Sequence, residues 1–470
     1  MNSLLELLSR LPAERDELEL PDKKPTYSAA EAKAEADRCL YCADAPCIKA
    51  CPTEIDIPTF IKKIATGNVR GSAKTIFEQN LLGYSCARVC PVEVLCVGAC
   101  VYNAWHREPI AIGRLQRYAT EKATAHGETP LLARSSGASR APDGADEASS
   151  QAGGARKKVA LVGAGPASLA CAGYLALEGH DAVIFEKRAL PGGLNTTGIA
   201  PYKLHAQDAL HEIAWVEALG VAIQTGVEVG KDVRGEDLLR DYDAVYLGVG
   251  LGEDTKLRIP GEDGPGIYGA TAWIEAMKLA RAQGTSPKNA RVLVIGGGNT
   301  AIDVARECAL LGAAEVTMVY RRDTASMSGY AHEMEGARKE GVRLVTHATP
   351  VAFERDASGA LTGLRVSLKS DTQGAPGEQV LACDMVAVAI GQSKMHAIAA
   401  EFPGVTVDGR GCIVADPATG ATGNPKVFSG GDCINGGKEV VNAVADGRNT
   451  ARHLERTWAG PRDARKTWPT

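Results

Sequence analysis

Eight cysteines within the first 100 positions are the residues of this sequence best suited to chemistry. They form two runs, spaced C-x2-C-x4-C-x3-C-P and C-x3-C-x5-C-x3-C. Thiolates at such intervals are typical ligands of iron–sulfur clusters, because a few backbone turns wrap one cubane while the last cysteine of a run can ligate a neighbouring cluster. The pattern predicts two clusters, which together conduct single electrons. The cysteines are Cys39, Cys42, Cys47, Cys51, Cys86, Cys90, Cys96 and Cys100.

Disulfides and zinc are the alternative uses of closely spaced cysteines. A disulfide framework is typical of small secreted domains, whereas no charged-then-apolar signal segment opens this sequence, so we expect none. Structural zinc sites share the C-x2-C pair but usually repeat it, and here it occurs once; zinc stays open as the second interpretation. The scattered remaining cysteines are predicted to be small buried hydrophobes. They are Cys171, Cys308, Cys383, Cys412 and Cys433.

A glycine-rich turn lies in the segment KVALVGAGPASLACAGYLALEGHDAVIFEK. The segment predicts a buried strand, a helix and a second strand that ends on Glu186. Gly163 would make the tight turn, and Gly165 would let backbone amides approach a pyrophosphate at the helix N-terminus. Ser168 is small enough for close helix–strand packing, and the Glu186 carboxylate is placed to accept hydrogen bonds from ribose hydroxyls. The segment therefore predicts a dinucleotide site.

A second such segment, RVLVIGGGNTAIDVARECALLGAAEVTMVYRRD, places Gly296, Gly298 and Ala301 in the turn. Its second strand leads to Arg321 and Arg322 instead of an acid. Arginine at this point suits a ribose 2′-phosphate, which favours NADP. An arginine pair can also lie on the adenine, reach the pyrophosphate or point into water, and these alternatives stay open.

The C-terminal segment VFSGGDCINGGKEVVNAVADGRNTA supports a flavin in the first site. It predicts a strand that ends in Gly430 and Gly431, followed by Asp432, which is placed to hold a ribityl hydroxyl near a helix N-terminus. A nicotinamide passes two electrons together, a cluster takes one, and a flavin does both, so the predicted order is NAD(P)H, flavin, clusters. Hydride transfer needs two rings held in contact, so we predict no catalytic side chain.

Composition and length limit the kinds of function that the sequence can have. The formal net charge of −5, with mixed signs throughout, gives no reason to expect nucleic acid, and 470 residues suggest about three domains. No apolar run approaches the roughly 20 residues that span a bilayer. We therefore expect no membrane insertion and a cytoplasmic location, where reducing conditions keep thiolates free for iron.

These motifs need elements that position them. The cysteine-bearing segment is helical in pattern, and from Lys158 onward short β-branched runs alternate with helical stretches, which is typical of βαβ units. The predicted fold is α/β: an all-helical iron–sulfur domain, then two Rossmann-like dinucleotide-binding domains, one inserted in the other. The predicted boundaries are 1–125 for the helical domain, 126–157 for a flexible linker, 158–270 with 396–470 for the FAD domain, and 271–395 for the NAD(P) domain.

Several segments together resemble one family. RCLYCADAPCIKACPTEIDIPTFI, GYSCARVCPVEVLCVGAC and PIAIGRLQRYAT, with GAGPAS, FEK, PGGL and SGGD further on, closely resemble the N-terminal electron-input half of dihydropyrimidine dehydrogenase. Because the sequence stops before any FMN-binding barrel, the resemblance implies the separate NAD-binding subunit of the bacterial two-subunit enzyme. The modules are more distantly similar to the small subunit of glutamate synthase.

The resemblance implies a specific set of cluster ligands. One [4Fe-4S] cluster would take Cys39, Cys42, Cys47 and Cys100, and the other would take Cys51, Cys90, Cys96 and the amide of Gln116. Counting cysteines alone selects Cys86 in place of Gln116. An oxygen or nitrogen ligand removes negative charge and is expected to shift the potential of that cluster.

The resemblance also implies the nucleotide contacts. Two positions depart from the mammalian-type enzyme: Ser328 stands where it has an arginine for the 2′-phosphate, and Lys203 where it has an arginine beside the flavin. The first departure favours NAD over NADP. The implied FAD contacts are Gly163, Ala164, Gly165, Pro166, Ala167, Ser168, Glu186, Lys187, Gly193, Leu194, Lys203, Gly431, Asp432 and Val440. The implied nicotinamide cofactor contacts are Gly297, Gly298, Asn299, Thr300, Arg321, Arg322, Ala389, Ile390 and Gly391.

The resemblance finally implies a partner. This would be an FMN-containing iron–sulfur subunit, in a heterotetramer, that reduces uracil and thymine to the 5,6-dihydropyrimidines. Two alternatives remain: electron delivery to another partner, such as a glutamate synthase large subunit, and a cluster-based redox sensor.

Overall fold

The computed structural model of the protein describes residues 2–124, 132, 155–280, 286–368 and 377–459. The predicted linker, 126–157, lies outside these ranges except for 132 and 155–157. The N-terminal part is confirmed as helical, since its described residues form helices and two short 3-10 turns and no strand. Its helices are α1 (Asn2–Ser9), α2 (Ala29–Asp37), α3 (Pro46–Lys49), α4 (Ile57–Ala65), α5 (Val69–Gln79), α6 (Gly83–Val89), α7 (Val101–Ala104) and α8 (Ile112–Thr124).

Side-chain caps and apolar stripes explain where these helices begin and what they bury. Ser28 and Glu31 form a capping box at the start of α2. Asp56 accepts a hydrogen bond from the amide of Thr59 (3.1 Å) and so caps α4. The buried residues of α4 recur at helical spacing on one face, which packs into the helical core. They are Ile57, Phe60, Ile61 and Ile64.

Strands and helices alternate after position 157. The elements are β1 (Lys158–Val162), α9 (Pro166–Leu177), β2 (Asp181–Glu186), α10 (Leu194–Thr197), α11 (Ala206–Ala218), β3 (Ala222–Thr225), α12 (Gly235–Asp241), β4 (Ala244–Leu247), β5 (Ile267–Gly269), α13 (Ala270–Leu279), β6 (Arg291–Ile295), α14 (Asn299–Leu310), β7 (Glu315–Val319), α15 (Ala331–Lys339), β8 (Arg343–Val345), β9 (Ala348–Arg355), β10 (Leu361–Leu368), β11 (Gly377–Ala382), β12 (Met385–Val388), α16 (His396–Ala400), β13 (Val427–Ser429), α17 (Asp432–Asn435) and α18 (Val440–Ala459).

Two five-stranded parallel sheets carry the two glycine-rich turns. The first has the strand order β13-β4-β1-β2-β3 and the second β5-β12-β6-β7-β8. After their first residue, β1 and β6 are buried along their whole length, as expected for strands covered on both faces. All strands of the second sheet lie between β4 and β13 in the chain, so the predicted insertion of one Rossmann-like domain in the other is confirmed.

A third, antiparallel sheet, in the order β11-β10-β9, is a feature that the sequence analysis missed. Its strands β9 and β10 are joined by a turn that contains Gly359 at φ +84°. One face of this sheet packs against β6 and β12 through Phe353, Leu364 and Val366. It therefore extends the second domain without contributing to the glycine-rich turns.

The helical part and the first sheet share one apolar core. Leu7, Leu11 and Phe77 belong to the same buried cluster as β1 and α9. Leu81 fits where α9 has no side chain, because a Cβ at Gly173 would stand 2.5 Å from its Cδ1 atom. Among the described residues, no helix has the length and apolar character needed to cross a membrane.

Candidate functional site

A large cavity of about 1730 Å³ lies between the two parallel sheets. The turns that follow β1 and β4, the end of β2 and the turn before α17 line it from the first domain. Asn299 and Thr300, at the start of α14, line it from the second domain, together with Ile390 and Gly391 after β12. Ligands of parallel sheets bind at the carboxyl ends of the strands, which is where this cavity lies.

The turn after β1 is shaped to admit an anion. Gly163 has φ +86°, and a Cβ there would stand 2.8 Å from the carbonyl oxygen of Gly248, so a side chain does not fit. At Gly165 the nearest atom to a Cβ is the same oxygen at 3.8 Å, which leaves the N-terminus of α9 open. Unpaired amides at the start of a twelve-residue helix attract phosphate. The turn therefore fits a pyrophosphate.

Glu186 is held firmly at the end of β2. Its two carboxylate oxygens accept hydrogen bonds from the amides of Ala164 (2.7 Å) and Arg188 (2.8 Å). Each oxygen keeps a free lone pair, and Glu186 lines the cavity. The residue can thus accept hydrogen bonds from ribose hydroxyls, as the sequence predicts.

The C-terminal motif closes the opposite side of the first domain's cavity. Gly431 has φ +79°, and a Cβ there would lie 3.0 Å from the Cβ of Ala167. Asp432 accepts a hydrogen bond from the amide of Lys438 (3.0 Å), and burial raises the pKa of its carboxyl group. Val440, the first residue of α18, also lines the cavity. Two helix N-termini and an acid therefore face the same space.

The structure brings almost all of the predicted FAD contacts to this cavity. Ser168 is the exception, since it lies fully buried behind the turn. There its Oγ atom would be 2.2 Å from a Cβ at Gly248, which agrees with a role in close packing. Those that line the cavity are Gly163, Ala164, Gly165, Pro166, Ala167, Glu186, Lys187, Gly193, Leu194, Lys203, Gly431, Asp432 and Val440.

The predicted nicotinamide contacts divide into two groups. Asn299, Thr300, Ile390 and Gly391 line the cavity. The other predicted contacts are not among the described residues that line it: Gly297, Gly298, Ala389, Arg321 and Arg322. The turn after β6 is tight, because a Cβ at Gly296 would stand 2.3 Å from the backbone oxygen of Ala389.

Arg321 and Arg322 are both exposed. Arg322 donates to the hydroxyl of Tyr320 from Nη2 (2.7 Å) and Nε (3.0 Å), so its guanidinium is partly satisfied within its own loop. Ser328 lies beside the second turn, with its Oγ 3.5 Å from a Cβ position at Gly298. A hydroxyl therefore stands near the nucleotide turn where the resemblance places an arginine in the mammalian-type enzyme.

Lys203 joins the two dinucleotide domains. Its ammonium donates to Asp303 on α14 (2.7 Å) and pairs with Glu333 on α15 (2.9 Å). Burial lowers the pKa of Lys203, but the two carboxylates outweigh burial and hold that pKa above its usual value. Tyr202 donates to the same Asp303 oxygen at 2.7 Å. Lys203 therefore serves as an ion-pair bridge at the cavity wall.

Lys278, on α13 of the second domain, is a residue that sequence reasoning missed. Its ammonium is fully buried and donates to the backbone oxygens of Asn195 (3.0 Å), Ile199 (3.0 Å) and Leu204 (2.9 Å). Burial lowers the pKa of Lys278 to about 8. The available signal was a lysine on an apolar helix face, next to Met277. Lys278 therefore fixes the segment on both sides of Lys203.

Four cysteines of the predicted first cluster line one small apolar cavity. The cavity is lined by Cys39, Cys42, Cys47 and Cys100, although the first and the last of them lie 61 positions apart in the sequence. Residues of α4 and of the start of α8 close the space. Burial raises the pKa of the Cys47 thiol to about 12, and the neighbouring thiols of Cys39 and Cys100 raise it further in the same direction. Four cysteines that line one small apolar cavity fit an iron–sulfur cluster, whose iron would stabilise their thiolate form.

The other cysteines form a second, more buried group. A hydrogen bond with Cys86 and burial raise the pKa of Cys90 well above its usual value, with Cys96 and Cys51 as further neighbours. Burial, followed by the proximity of Cys51, raises the pKa of Cys96 to about 12. Cys51 and Cys96 are buried, whereas the four cysteines of the first group are partly exposed. Within the described ranges no three His, Cys, Asp or Glu side chains meet closely enough to hold a single metal ion.

Both candidates for the eighth ligand contact or belong to α6, the helix that leads to Cys90. Gln116 is buried and donates a hydrogen bond from Nε2 to the carbonyl oxygen of Gly83 (2.7 Å). Its amide oxygen is therefore the atom that would coordinate iron. Cys86 lies on α6 beside Cys90. The choice between them stays a prediction. No cysteine forms a disulfide, and the five scattered cysteines are buried, as expected.

The second cysteine group adjoins the large cavity. Val89 and Pro91, which flank Cys90 in the chain, line that cavity. On its other side the second group neighbours the first, since Cys47 lies close enough to raise the pKa of Cys96. The order in space is therefore large cavity, second group, first group, partly exposed surface.

Comparison with known families agrees with this architecture. Residues 17–128 match the family described as dihydropyrimidine dehydrogenase domain II, 4Fe-4S cluster, and residues 157–447 match the pyridine nucleotide-disulphide oxidoreductase family. The chain belongs to the pyridine nucleotide-disulphide oxidoreductases and carries an N-terminal 4Fe-4S domain. Its fold resembles that of T. acidophilum thioredoxin reductase, with a TM-score of 0.51 at 22% identity over 64% of this chain and 98% of that chain.

Two curated relatives from Escherichia coli match nearly the whole chain. The glutamate synthase [NADPH] small chain is 34% identical over 90% of this chain and 91% of its own length. The NAD-dependent dihydropyrimidine dehydrogenase subunit PreT is 34% identical over 93% of this chain and 96% of its own length. The protein is thus an NAD(P)H-dependent iron–sulfur flavoprotein oxidoreductase of the electron-transfer type. Its cofactors are 4Fe-4S clusters, FAD and a nicotinamide dinucleotide.

Proposed function

We propose that the protein is the electron-input subunit of a dihydropyrimidine dehydrogenase. It oxidises NAD(P)H, passes the hydride to FAD and sends single electrons through two [4Fe-4S] clusters to an FMN-containing partner subunit, which reduces uracil or thymine. The observation that carries this proposal is the order in space described above, from the large cavity past Val89 and Pro91 to the two cysteine groups. The match of residues 17–128 to the dihydropyrimidine dehydrogenase domain supports the choice of partner.

The proposal assigns each cysteine group a cluster. The partly exposed group, Cys39, Cys42, Cys47 and Cys100, holds the outer cluster. The buried group, Cys51, Cys90 and Cys96 with Gln116, holds the inner cluster. Because Val89 and Pro91, the chain neighbours of Cys90, line the large cavity, a cluster held by the inner group would be the one nearer to a bound flavin, and a cluster held by the outer group would be the one nearer to the partner.

The chain's own residues bind and orient the cofactors in this scheme. The open N-terminus of α9 would bind the pyrophosphate of FAD. The carboxylate of Glu186, fixed by two backbone amides, would accept hydrogen bonds from the ribose hydroxyls of FAD. When bound, the flavin supplies the exchange between a hydride and two single electrons. Lys203 and Lys278 hold the second domain against the first, so that a nicotinamide bound to the second domain would be oriented towards the flavin site of the first.

The nicotinamide cofactor is proposed to be NAD. Arg322 is engaged by Tyr320, and Ser328 gives no positive charge beside the second turn. We expect Ser328→Arg to improve kcat/KM for NADPH while leaving that for NADH nearly unchanged, with Ser326→Arg, two residues away on the same loop, as the matched control. Equal gains from both variants would point to general attraction rather than recognition at Ser328.

A second candidate function is electron delivery to a glutamate synthase large subunit. The small chain of the Escherichia coli enzyme has the same identity to this chain, 34%, as the dihydropyrimidine dehydrogenase subunit. Isolation of the native complex distinguishes the two, because an FMN-containing pyrimidine reductase or a large amidotransferase would co-purify.

The decisive assay uses the reconstituted pair of subunits. We expect steady-state reduction of uracil and thymine with NADH, slower reduction with NADPH, and none by this chain alone, which should reduce only artificial dyes. Glutamate formation from 2-oxoglutarate and glutamine in the same assay would establish the second candidate instead.

A further inference from the structure

Arg448 is a buried cation that the proposed electron path does not yet use. It lies in the middle of α18, the helix that begins at the large cavity, and its side chain is 2% exposed. Burying a guanidinium is unfavourable unless its donors are satisfied and its charge is balanced. The buried guanidinium of Arg448 therefore requires hydrogen-bond acceptors and a balancing negative charge.

The side chain reaches out of the flavin domain into the helical domain. One Nη1 donor bonds to the backbone oxygen of Thr53 and a weaker contact reaches the side chain of Gln79 (3.1 Å). Thr53 is fully buried, two positions after Cys51, and its Oγ1 lies 3.3 Å from the Cys51 sulfur. The guanidinium is thus separated from a proposed inner-cluster ligand by one residue.

The charge of Arg448 is only weakly balanced by protein groups. The facing carboxylate is Glu54, at 3.6 Å, but its side chain is 69% exposed and is therefore well screened by water. Its other acceptors among the described residues are neutral: Thr53, Gln79 and Asn449. An iron–sulfur cluster with thiolate ligands carries net negative charge, so it supplies the balance that the protein lacks.

We propose that Arg448 is a positioning residue for the inner cluster: it fixes the loop of Cys51 through the Thr53 carbonyl and makes that cluster easier to reduce by placing a buried positive charge beside it. Reduction adds one electron to the cluster, and a nearby cation stabilises the added negative charge. Electron flow from the flavin into the inner cluster therefore depends on a residue of the flavin domain. The inference rests on the proposed assignment of a cluster to Cys51, Cys90 and Cys96.

The test is a redox titration of the anaerobically purified protein, followed by EPR, on Arg448→Gln and Arg448→Lys. Both replacements keep a donor for Thr53, but only lysine keeps the charge. We expect Arg448→Gln to make one-electron reduction of one cluster at least tenfold less favourable, which corresponds to about 59 mV, with the other cluster and the flavin unchanged. Arg448→Lys should stay within threefold of the wild type, as should Arg456→Met, an exposed arginine on the same helix.

A second variant keeps the proposal testable if Arg448→Gln does not fold. Gln79→Glu introduces a carboxylate where one oxygen already accepts hydrogen bonds from Arg448 (3.1 Å) and Arg452 (3.0 Å), so it neutralises the charge without opening a cavity. It should shift the same cluster in the same direction. Full iron content with no shift in either variant overturns the role of Arg448 and leaves the proposed function standing. Wild-type protein that contains no iron and sulfide overturns both.

Discussion

The two cysteine groups are built from the same residue type but differ in what surrounds them. The outer group is partly exposed and its cavity is lined by apolar residues of the helical domain alone. The inner group is mostly buried, adjoins the large cavity and is approached by charged residues of the flavin domain. Electron transfer sites are tuned by burial, charge and hydrogen bonds, so the difference assigns the two groups different tasks.

The comparison also shows where the flavin domain and the helical domain are coupled. Glu212 of α11 accepts hydrogen bonds at the start of α6 from the amide of Tyr84 (2.9 Å) and the hydroxyl of Ser85 (2.5 Å). Helix α6 leads directly to Cys90. Arg448 makes the corresponding contact to the Cys51 loop. Both contacts reach segments that carry cysteines of the inner group, so the flavin domain holds these segments from two sides.

The largest expected effect comes from removing one cluster at a time, which tests the order in which electrons pass through the two groups. Cys96→Ser should abolish the inner cluster and reduce the NADH-dependent reduction of the outer cluster to background, because in the proposed order the inner cluster stands between the flavin and the outer cluster. Cys47→Ser should remove the outer cluster and leave the inner one reducible by NADH. Rapid-freeze EPR after mixing with NADH measures both. Normal reduction of the outer cluster in Cys96→Ser would contradict the order proposed here.

The next effect concerns the eighth ligand. We expect Gln116→Ala to lose the inner cluster and therefore half of the bound iron, whereas Cys86→Ala should keep it, since Cys86 only shares a hydrogen bond with Cys90. Iron and sulfide analysis of the two anaerobic variants measures this directly. If iron is lost only from Cys86→Ala, the inner group is an ordinary four-cysteine site and the difference in ligand type between the groups disappears.

The smallest expected effect is a pH dependence of the folding stability that arises from Glu212, at the contact between α11 and α6. Burial raises the pKa of Glu212 to about 7, above the 4.5 of an unfolded glutamate. Between these values the folded chain holds a proton that the unfolded chain has lost, so the stability that this proton provides falls as the pH rises from about 4.5 to about 7. The loss is at most about 3 kcal/mol.

Glu212→Gln should flatten that part of the pH profile. Chemical denaturation of the apoprotein between pH 5 and 8 measures it, with Asp56→Asn, an exposed helix cap in the helical domain, as the control that keeps the wild-type slope. An unchanged slope in Glu212→Gln would mean that another buried group governs the profile.

Local motifs made much of this fold predictable. The glycine-rich turns depend on a few adjacent residues, so Gly163, Gly165 and the strand end at Glu186 could be interpreted from sequence alone. The insertion of one domain in the other followed from the C-terminal motif around Asp432. Burial of Ser168 behind the turn also agrees with its predicted packing role.

Features that join distant parts of the chain could not be predicted in this way. The bridge from Lys203 to Asp303 spans 100 residues and the contact from Arg448 to Thr53 spans 395, and neither has a local signal. The grouping of Cys100 with the first three cysteines was implied only by family resemblance. The strands β9 to β11 were missed because alternating, partly exposed residues there carry weak apolar runs.

The interlocking of Leu81 with α9 at Gly173 has a consequence for dissection of the molecule. A truncated piece containing only the metal-binding helices would present Phe77, Leu81 and their neighbours to water, and would tend to aggregate. The helical domain therefore cannot be fused to another enzyme as an isolated electron-transfer domain. It needs the nucleotide-binding domain that completes its apolar core.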